Sequence, residues 1–238
     1  MKISRAKLLL PLLTISSLCL FLAGQSGGEA KESVKPGINK KFLDPELQVD
    51  DWLKRFEVES REVFLEREAV LKACGVQKGM VVADIGAGTG LYARLFSKAV
   101  GPEGWVAAVD ISGPFLKHIV TRAEQEGQDN ITAVLGREDS LSLPPDCLDL
   151  AFICDTYHHF EYPQDTLKSL LRSLKKGGTV IVIDFERIEG VSREWLLGHV
   201  RAGKAVFRRE IEEAGLTFVE ELEIPGFEEN YFLRFRKD

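Results

Sequence analysis

Apolar positions along the chain change period many times, and the changes mark an alternation of strands and helices. Val81–Ile85, Trp105–Val109, Ile131–Leu135, Leu148–Cys154 and Thr179–Phe185 are short, nearly continuous apolar runs. That length and continuity predict strands buried on both faces, as in a parallel sheet. Between them the apolar residues repeat at helical spacing: Leu91, Leu95 and Phe96, then Phe115, Leu116, Ile119 and Val120, then Leu167, Leu170, Leu171 and Leu174. Strands that alternate with helices need crossover connections, which makes the sheet parallel. Leu216–Ile224 and Asn230–Phe235 break this rhythm. A loop around Pro225-Gly226 joins them, short enough for an antiparallel pair.

Turn residues divide the rest. Gly101-Pro102-Glu103-Gly104 is a turn, Ser112-Gly113-Pro114 opens a helix, and Lys175-Lys176-Gly177-Gly178 is expected to end one. Before the first strand, residues 49–74 read as two helices. Trp52, Leu53 and Phe56 form one apolar face, Ser60 is placed to cap the second helix, and Gly75 ends it. Residues 25–47, rich in Gly, Lys, Glu, Ser and Pro, read as a linker. The domain is therefore expected at 48–238, with N-terminal helices at 48–75 and the main core at 76–238.

The first 24 residues differ from the rest. Lys2, Arg5 and Lys7 precede an apolar run through residues 8–23, and small residues follow. This describes a signal peptide, with a membrane anchor through residues 8–23 as the second reading. Export or membrane anchoring is the expectation, and a cytoplasmic location if translation starts further on. The chain has 238 residues and a formal net charge of -6, which argues against a nucleic-acid backbone as partner. Four cysteines at wide spacings indicate neither a disulfide framework nor a zinc site.

The chemistry concentrates at Asp84-Ile85-Gly86-Ala87-Gly88-Thr89-Gly90. A strand runs into an acid, a glycine turn follows, and a helix starts. Glycines here let a ligand lie against the backbone. The dinucleotide fingerprint G-x-G-x-x-G places its third glycine one residue later, and Asp84 would repel a pyrophosphate. An acid here suits a ligand with a cationic amino group. Asp110 ends the second strand about 20 residues beyond the turn, where such a fold places a ribose-binding carboxylate.

Asp84-x-Gly86-x-Gly88-x-Gly90 resembles the first motif of class I S-adenosylmethionine-dependent methyltransferases, and the strand pattern from Met80 to Asp238 is similar to theirs. The resemblance implies a Rossmann-like seven-stranded, mostly parallel sheet with a terminal antiparallel strand and helices on both faces. It implies S-adenosylmethionine as cofactor, held by the turn from Gly86 through Ala87 and Gly88 to Gly90. Asp84 would meet the cofactor's amino group, Asp110 and Ile111 the ribose side, and Glu138 or Asp139 the adenine amine, with Asp155 a further cofactor-binding residue. Trp52 and Arg55 are candidate lid residues.

Asp155-Thr156-Tyr157-His158-His159-Phe160 follows the fourth strand, where similar enzymes of the ubiquinone-biosynthesis type often place a histidine. His158 and Tyr157 are the candidate catalytic residues, with Arg201 a further acceptor-side candidate. A histidine suits a general base at neutral pH, and equally a structural role. Adjacent histidines diverge on a helix, so no metal site is expected from the pair. The expected reaction moves a methyl group to an unidentified, small-molecule acceptor. The alternatives are an NAD-dependent oxidoreductase and a cofactor-binding protein without catalysis.

Overall fold

The structure, a computed structural model, describes residues 32–238. The expected signal or anchor at 1–24 lies outside the described residues. Among the described residues no helix is long and apolar enough to cross a membrane.

Seven strands form one sheet: β1 (Val81–Ile85), β2 (Trp105–Asp110), β3 (Ile131–Leu135), β4 (Leu148–Cys154), β5 (Leu174–Phe185), β6 (Thr217–Leu222) and β7 (Asn230–Arg236). Their order is β3-β2-β1-β4-β5-β7-β6. Neighbours from β3 to β5 pair in parallel, and β7 runs antiparallel between β5 and β6. The chain reverses direction of travel across the sheet between β1 and β4. That switch point leaves the carboxyl ends of these two strands facing a crevice.

The helices are α1 (Val49–Phe56), α2 (Glu62–Leu65), α3 (Arg67–Cys74), α4 (Leu91–Val100), α5 (Gly113–Glu126), α6 (Pro163–Ser173), α7 (Glu194–His199) and α8 (Lys204–Glu213). Alternate residues of each central strand face opposite cores. Val82, Val106, Phe152 and Ile181 pack with Val70, Phe96 and Ile119 of α3, α4 and α5. Ala83, Val109, Ile153 and Val182 pack with Leu167, Leu196 and Phe207 of α6, α7 and α8. The near-continuous apolar strands are thus explained by two covered faces.

Several local expectations change. Ser60 does not cap a helix: Arg61 takes the N-cap position of α2. The second N-terminal helix breaks at Glu66 into α2 and α3. Val120 is exposed, because the inward face of α5 is formed by Phe115, Leu116, Ile119 and Ala123. Lys175-Lys176-Gly177-Gly178 lies inside β5, which begins at Leu174 and pairs that residue with Leu148. Turn chemistry suggested a stop there, but the sheet extends by pairing with β4.

Residues 32–47 have irregular backbone, as a linker would, yet they are fastened to the domain. Asn39 is buried and donates from Nδ2 to the His159 carbonyl at 3.0 Å. Glu161 accepts from the Ser33 hydroxyl and the Gly37 amide. Polar anchors of this kind are not visible in hydropathy.

The Phe152 ring joins β4 to α4, lying 4.6 Å from Tyr92 and 5.0 Å from Phe96 between ring centres. It is fully buried. Phe152→Ala should lower unfolding free energy by about 3–5 kcal/mol, from lost burial and a cavity. Urea denaturation measures it, and a loss below about 1 kcal/mol would mean that the site collapses to fill the space.

Candidate active site

The turn after β1 is built as the sequence implies. Gly86, Gly88 and Gly90 all have positive φ, at 71°, 52° and 78°. The turn is pinned from β2: the amides of Gly86 and Ala87 donate to the Val109 carbonyl at 2.8 and 3.1 Å. Space is as restrictive as conformation. A Cβ on Gly86 would lie 2.2 Å from the Thr156 methyl carbon, and one on Gly90 2.7 Å from Ile119.

Asp110 holds the same turn. Its Oδ2 accepts from the Gly88 amide and its Oδ1 from the Ser112 amide, each at 2.8 Å. Burial pushes its pKa up to about 6, with the amides of Ser112, Gly88 and Ile111 pulling the other way. Ile111 stands half-buried beside it. Asp84 is less well served. It is 3 % exposed, and its Oδ2 has no hydrogen-bond partner. Burial pushes its pKa up to about 7, the Ala93 amide at the start of α4 lowers it, and the Asp110 charge raises it. A buried carboxylate with an unsatisfied oxygen is costly unless a ligand completes it.

Asp155 has positive φ. It pairs with Arg61 and accepts from Asn230 Nδ2 at 2.7 Å. Burial raises its pKa and Arg61 opposes that. Glu138 and Asp139 sit half-buried on the loop after β3. Asp139 Oδ1 is 3.4 Å from Arg137 Nε, and the Glu138 carbonyl accepts from the Thr166 hydroxyl.

An aromatic roof lies over the turn. Phe56 of α1 would touch a Cβ on Gly88 at 3.5 Å. Trp52 packs between Phe42 and Phe56 with tilted rings, at 4.9 and 5.1 Å between centres, and Phe115 closes the group from α5. Arg55 lies over the Trp52 ring and Arg61 over Phe56. Trp52 and Arg55 belong to this cover. Phe56, which touches the turn, and Phe42 were not singled out from sequence.

The acceptor side differs from expectation. Tyr157 is fully buried and donates to Glu210 Oε2 at 3.0 Å, packed on Phe160 and Phe207. Burial and Glu210 raise its pKa. It is a core residue rather than a catalytic one. Arg201 is likewise held, by a bidentate pair with Glu210. His158 is buried, and its Nδ1 lies 2.7 Å from Asp184 Oδ1 at the end of β5. The other oxygen, Oδ2, accepts from the His158 amide. His159 and His199 complete a cluster: ring centres are 4.4 Å apart for His158–His159, 5.0 Å for His158–His199 and 5.1 Å for His159–His199. His199 also borders an open cavity of about 480 Å³, with Glu194, Trp195 and Gly198. His199 comes from the segment between β5 and α8, about 40 residues from the pair, so adjacency in sequence gave no sign of the triad.

Comparison with known proteins agrees with this geometry. Residues 82–178 match a family model described as a methyltransferase domain. A ubiquinone/menaquinone biosynthesis C-methyltransferase (UbiE) of Pseudomonas fluorescens is 35% identical over 124 residues, 52% of this chain and 48% of that protein. Over this stretch the chain is similar to class I S-adenosylmethionine-dependent methyltransferases. It spans about half the length of the curated relatives it matches. Among solved structures, a SAM-dependent methyltransferase from Aquifex aeolicus superposes with a TM-score of 0.70 at 24% identity, covering 82% of this chain and 99% of that one. The [4+2]-cyclase SpnF superposes with a TM-score of 0.62 at 16% identity, over 72% of this chain and 80% of that one. The methyltransferase fold is thus also found under a different reaction.

S-adenosylmethionine is the cofactor of such a domain. The residues fit it: glycines that a Cβ would crowd, a ribose-type acid on the neighbouring strand, and a buried acid with an oxygen to spare.

For Asp84 the raised folded pKa fixes a sign. Folding favours the neutral acid, so its stabilisation is full below pH 3.8 and is lost as pH rises through about 7. Asp84→Asn should therefore raise the thermal midpoint of the ligand-free methyltransferase domain at pH 8 more than at pH 5, while weakening cofactor binding. Calorimetric scans at the two pH values check this, and an equal shift at both would remove the buried charge as the cause.

Proposed function

We propose that the chain transfers a methyl group from S-adenosylmethionine to a small-molecule acceptor. The observation that carries this reading is Asp84: a buried acid with one unsatisfied oxygen, at the edge of a turn with no room for a side chain at Gly86 or Gly90. A cationic amino group answers that oxygen, and a pyrophosphate does not. The glycine spacing disfavours an NAD-dependent oxidoreductase for the same reason.

When bound, the sulfonium supplies an already activated methyl group. The protein's own task is then alignment and exclusion of water. Gly86, Ala87, Gly88 and Gly90 give a backbone cradle, and Asp110 fixes its shape while keeping lone pairs for vicinal hydroxyls. The roof of Trp52 and Phe56 keeps the turn dry. His158 is the acceptor-side residue, with Asp184 holding the tautomer that protonates Nδ1 and leaves the lone pair on Nε2.

The acceptor side favours a flat, partly polar molecule. Trp195 stacks on His199 at 4.8 Å and 20°, and Glu194 stands beside them at the cavity. UbiE carries a quinone pathway in its name, and a ring compound suits such a wall.

Methyl-labelled S-adenosylmethionine incubated with the full chain and a small-molecule extract should pass label to a compound of low mass. Label confined to protein, or no S-adenosylhomocysteine formed, would contradict the reading. With an acceptor in hand, His158→Gln should lower kcat at least tenfold, on the scale of one well-placed proton or ligand contact, with cofactor Kd within about twofold. Phe56→Ala should speed cofactor association, measured by stopped-flow fluorescence of Trp52. An unchanged rate would mean that the roof does not control entry.

A further inference from the structure

Three of the chain's four histidines converge at the carboxyl edge of the sheet. One ring nitrogen from each of His158, His159 and His199 lies within 4.8 Å of the others. We propose that these three residues form a binding site for a divalent transition-metal ion, zinc first among them.

Three features support metal ligation over simple packing. The Asp184 carboxylate, fully buried, engages His158 Nδ1 at 2.7 Å. A carboxylate behind a ligating imidazole fixes its tautomer and raises its basicity. His159 Nδ1 is buried without a hydrogen-bond partner, an unpaid polar atom inside the cluster. The rings themselves are crowded, with their centres 4.4 to 5.1 Å apart.

Geometry is close to what an ion needs. Zinc–nitrogen bonds of about 2.0–2.1 Å in a tetrahedron put ligand nitrogens about 3.4 Å apart. From 4.8 Å the widest separation must close by about 1.4 Å, within reach of ring rotation and small torsion changes. The set is all imidazole, which suits zinc, copper, nickel or cobalt and not magnesium or calcium. Lys35 opposes a cation: its ammonium donates to the Gly198 and His199 carbonyls. The buried Asp184 charge on the other side counters it.

Three protein ligands leave a coordination position open. His199 borders the cavity with Glu194 and Trp195, so an oxygen of a small molecule in that cavity is the natural fourth ligand. The site shares His158 with the acceptor side, but metal uptake is read separately from methyl transfer: a chain inactive as a methyltransferase would still take up the ion.

The test uses the full chain, stripped with a chelator and titrated with zinc against a chromophoric competitor. One zinc per chain is expected, with affinity lowered at least tenfold by His199→Ala and by Asp184→Asn, and unchanged by Cys147→Ser. His199 is half-buried at the end of a short helix, and the metal-free thermal midpoint of His199→Ala shows whether the variant is folded. Wild-type protein loaded with cobalt(II) gives a second reading that needs no variant. Visible bands of four-coordinate cobalt without thiolate charge-transfer absorption are expected. Absence of stoichiometric zinc, full affinity in folded His199→Ala, or a thiolate cobalt spectrum would each overturn the site.

Discussion

Four carboxylates gather where the parallel strands end, and much of the molecule can be understood as their compensation. Asp84 stands one residue before the end of β1, Asp110 closes β2, Asp155 follows β4, and Asp184 stands near the end of β5. Each is removed from most of its water, which penalises the charged form. Asp110 is answered by backbone amides, Asp155 by Arg61 and Asn230, and Asp184 by His158 and two amides. Asp84 alone keeps an oxygen without a partner. The place where compensation is incomplete is the place where a ligand belongs.

The compensating groups also divide the edge into two halves. On one side, α1 and α2 bring Phe56 and Arg61 over the glycine turn, and Glu62 accepts from the amides of Glu228, Glu229 and Asn230, tying this cover to the start of β7. On the other side, α7 brings His199 and Trp195 to His158. Residues 32–47 cross between the halves. Phe42 touches Trp52 on the first side and His159 on the second, at 4.9 and 5.2 Å. The cover over the turn and the histidine cluster are therefore mechanically connected through one ring.

Regular features were legible in the sequence because they follow from period and turn chemistry. Continuous apolar runs located five strands, and the glycine run after the first of them located a tight turn at the strand ends. What hydropathy could not show was partnership at long range. Tyr157 looked like a site residue by position, yet Glu210 and Phe207 of α8 hold it in the core. Two adjacent histidines gave no sign of a cluster, until folding brought a third from α7 beside them. The lysine-glycine stretch before β5 looked like a stop, and pairing between Leu174 and Leu148 made it strand. In each case tertiary contact overrode a local rule.

The central claim is that this edge holds S-adenosylmethionine through acids on β1 and β2. Titration calorimetry with S-adenosylhomocysteine and with NAD, on wild-type chain and Asp110→Ala, tests it most directly. The account predicts one S-adenosylhomocysteine per chain, no heat from NAD, and at least tenfold weaker binding in the variant, the scale of a charged hydrogen-bond acceptor lost. Binding of NAD alone, or S-adenosylhomocysteine binding untouched by Asp110→Ala, would contradict it.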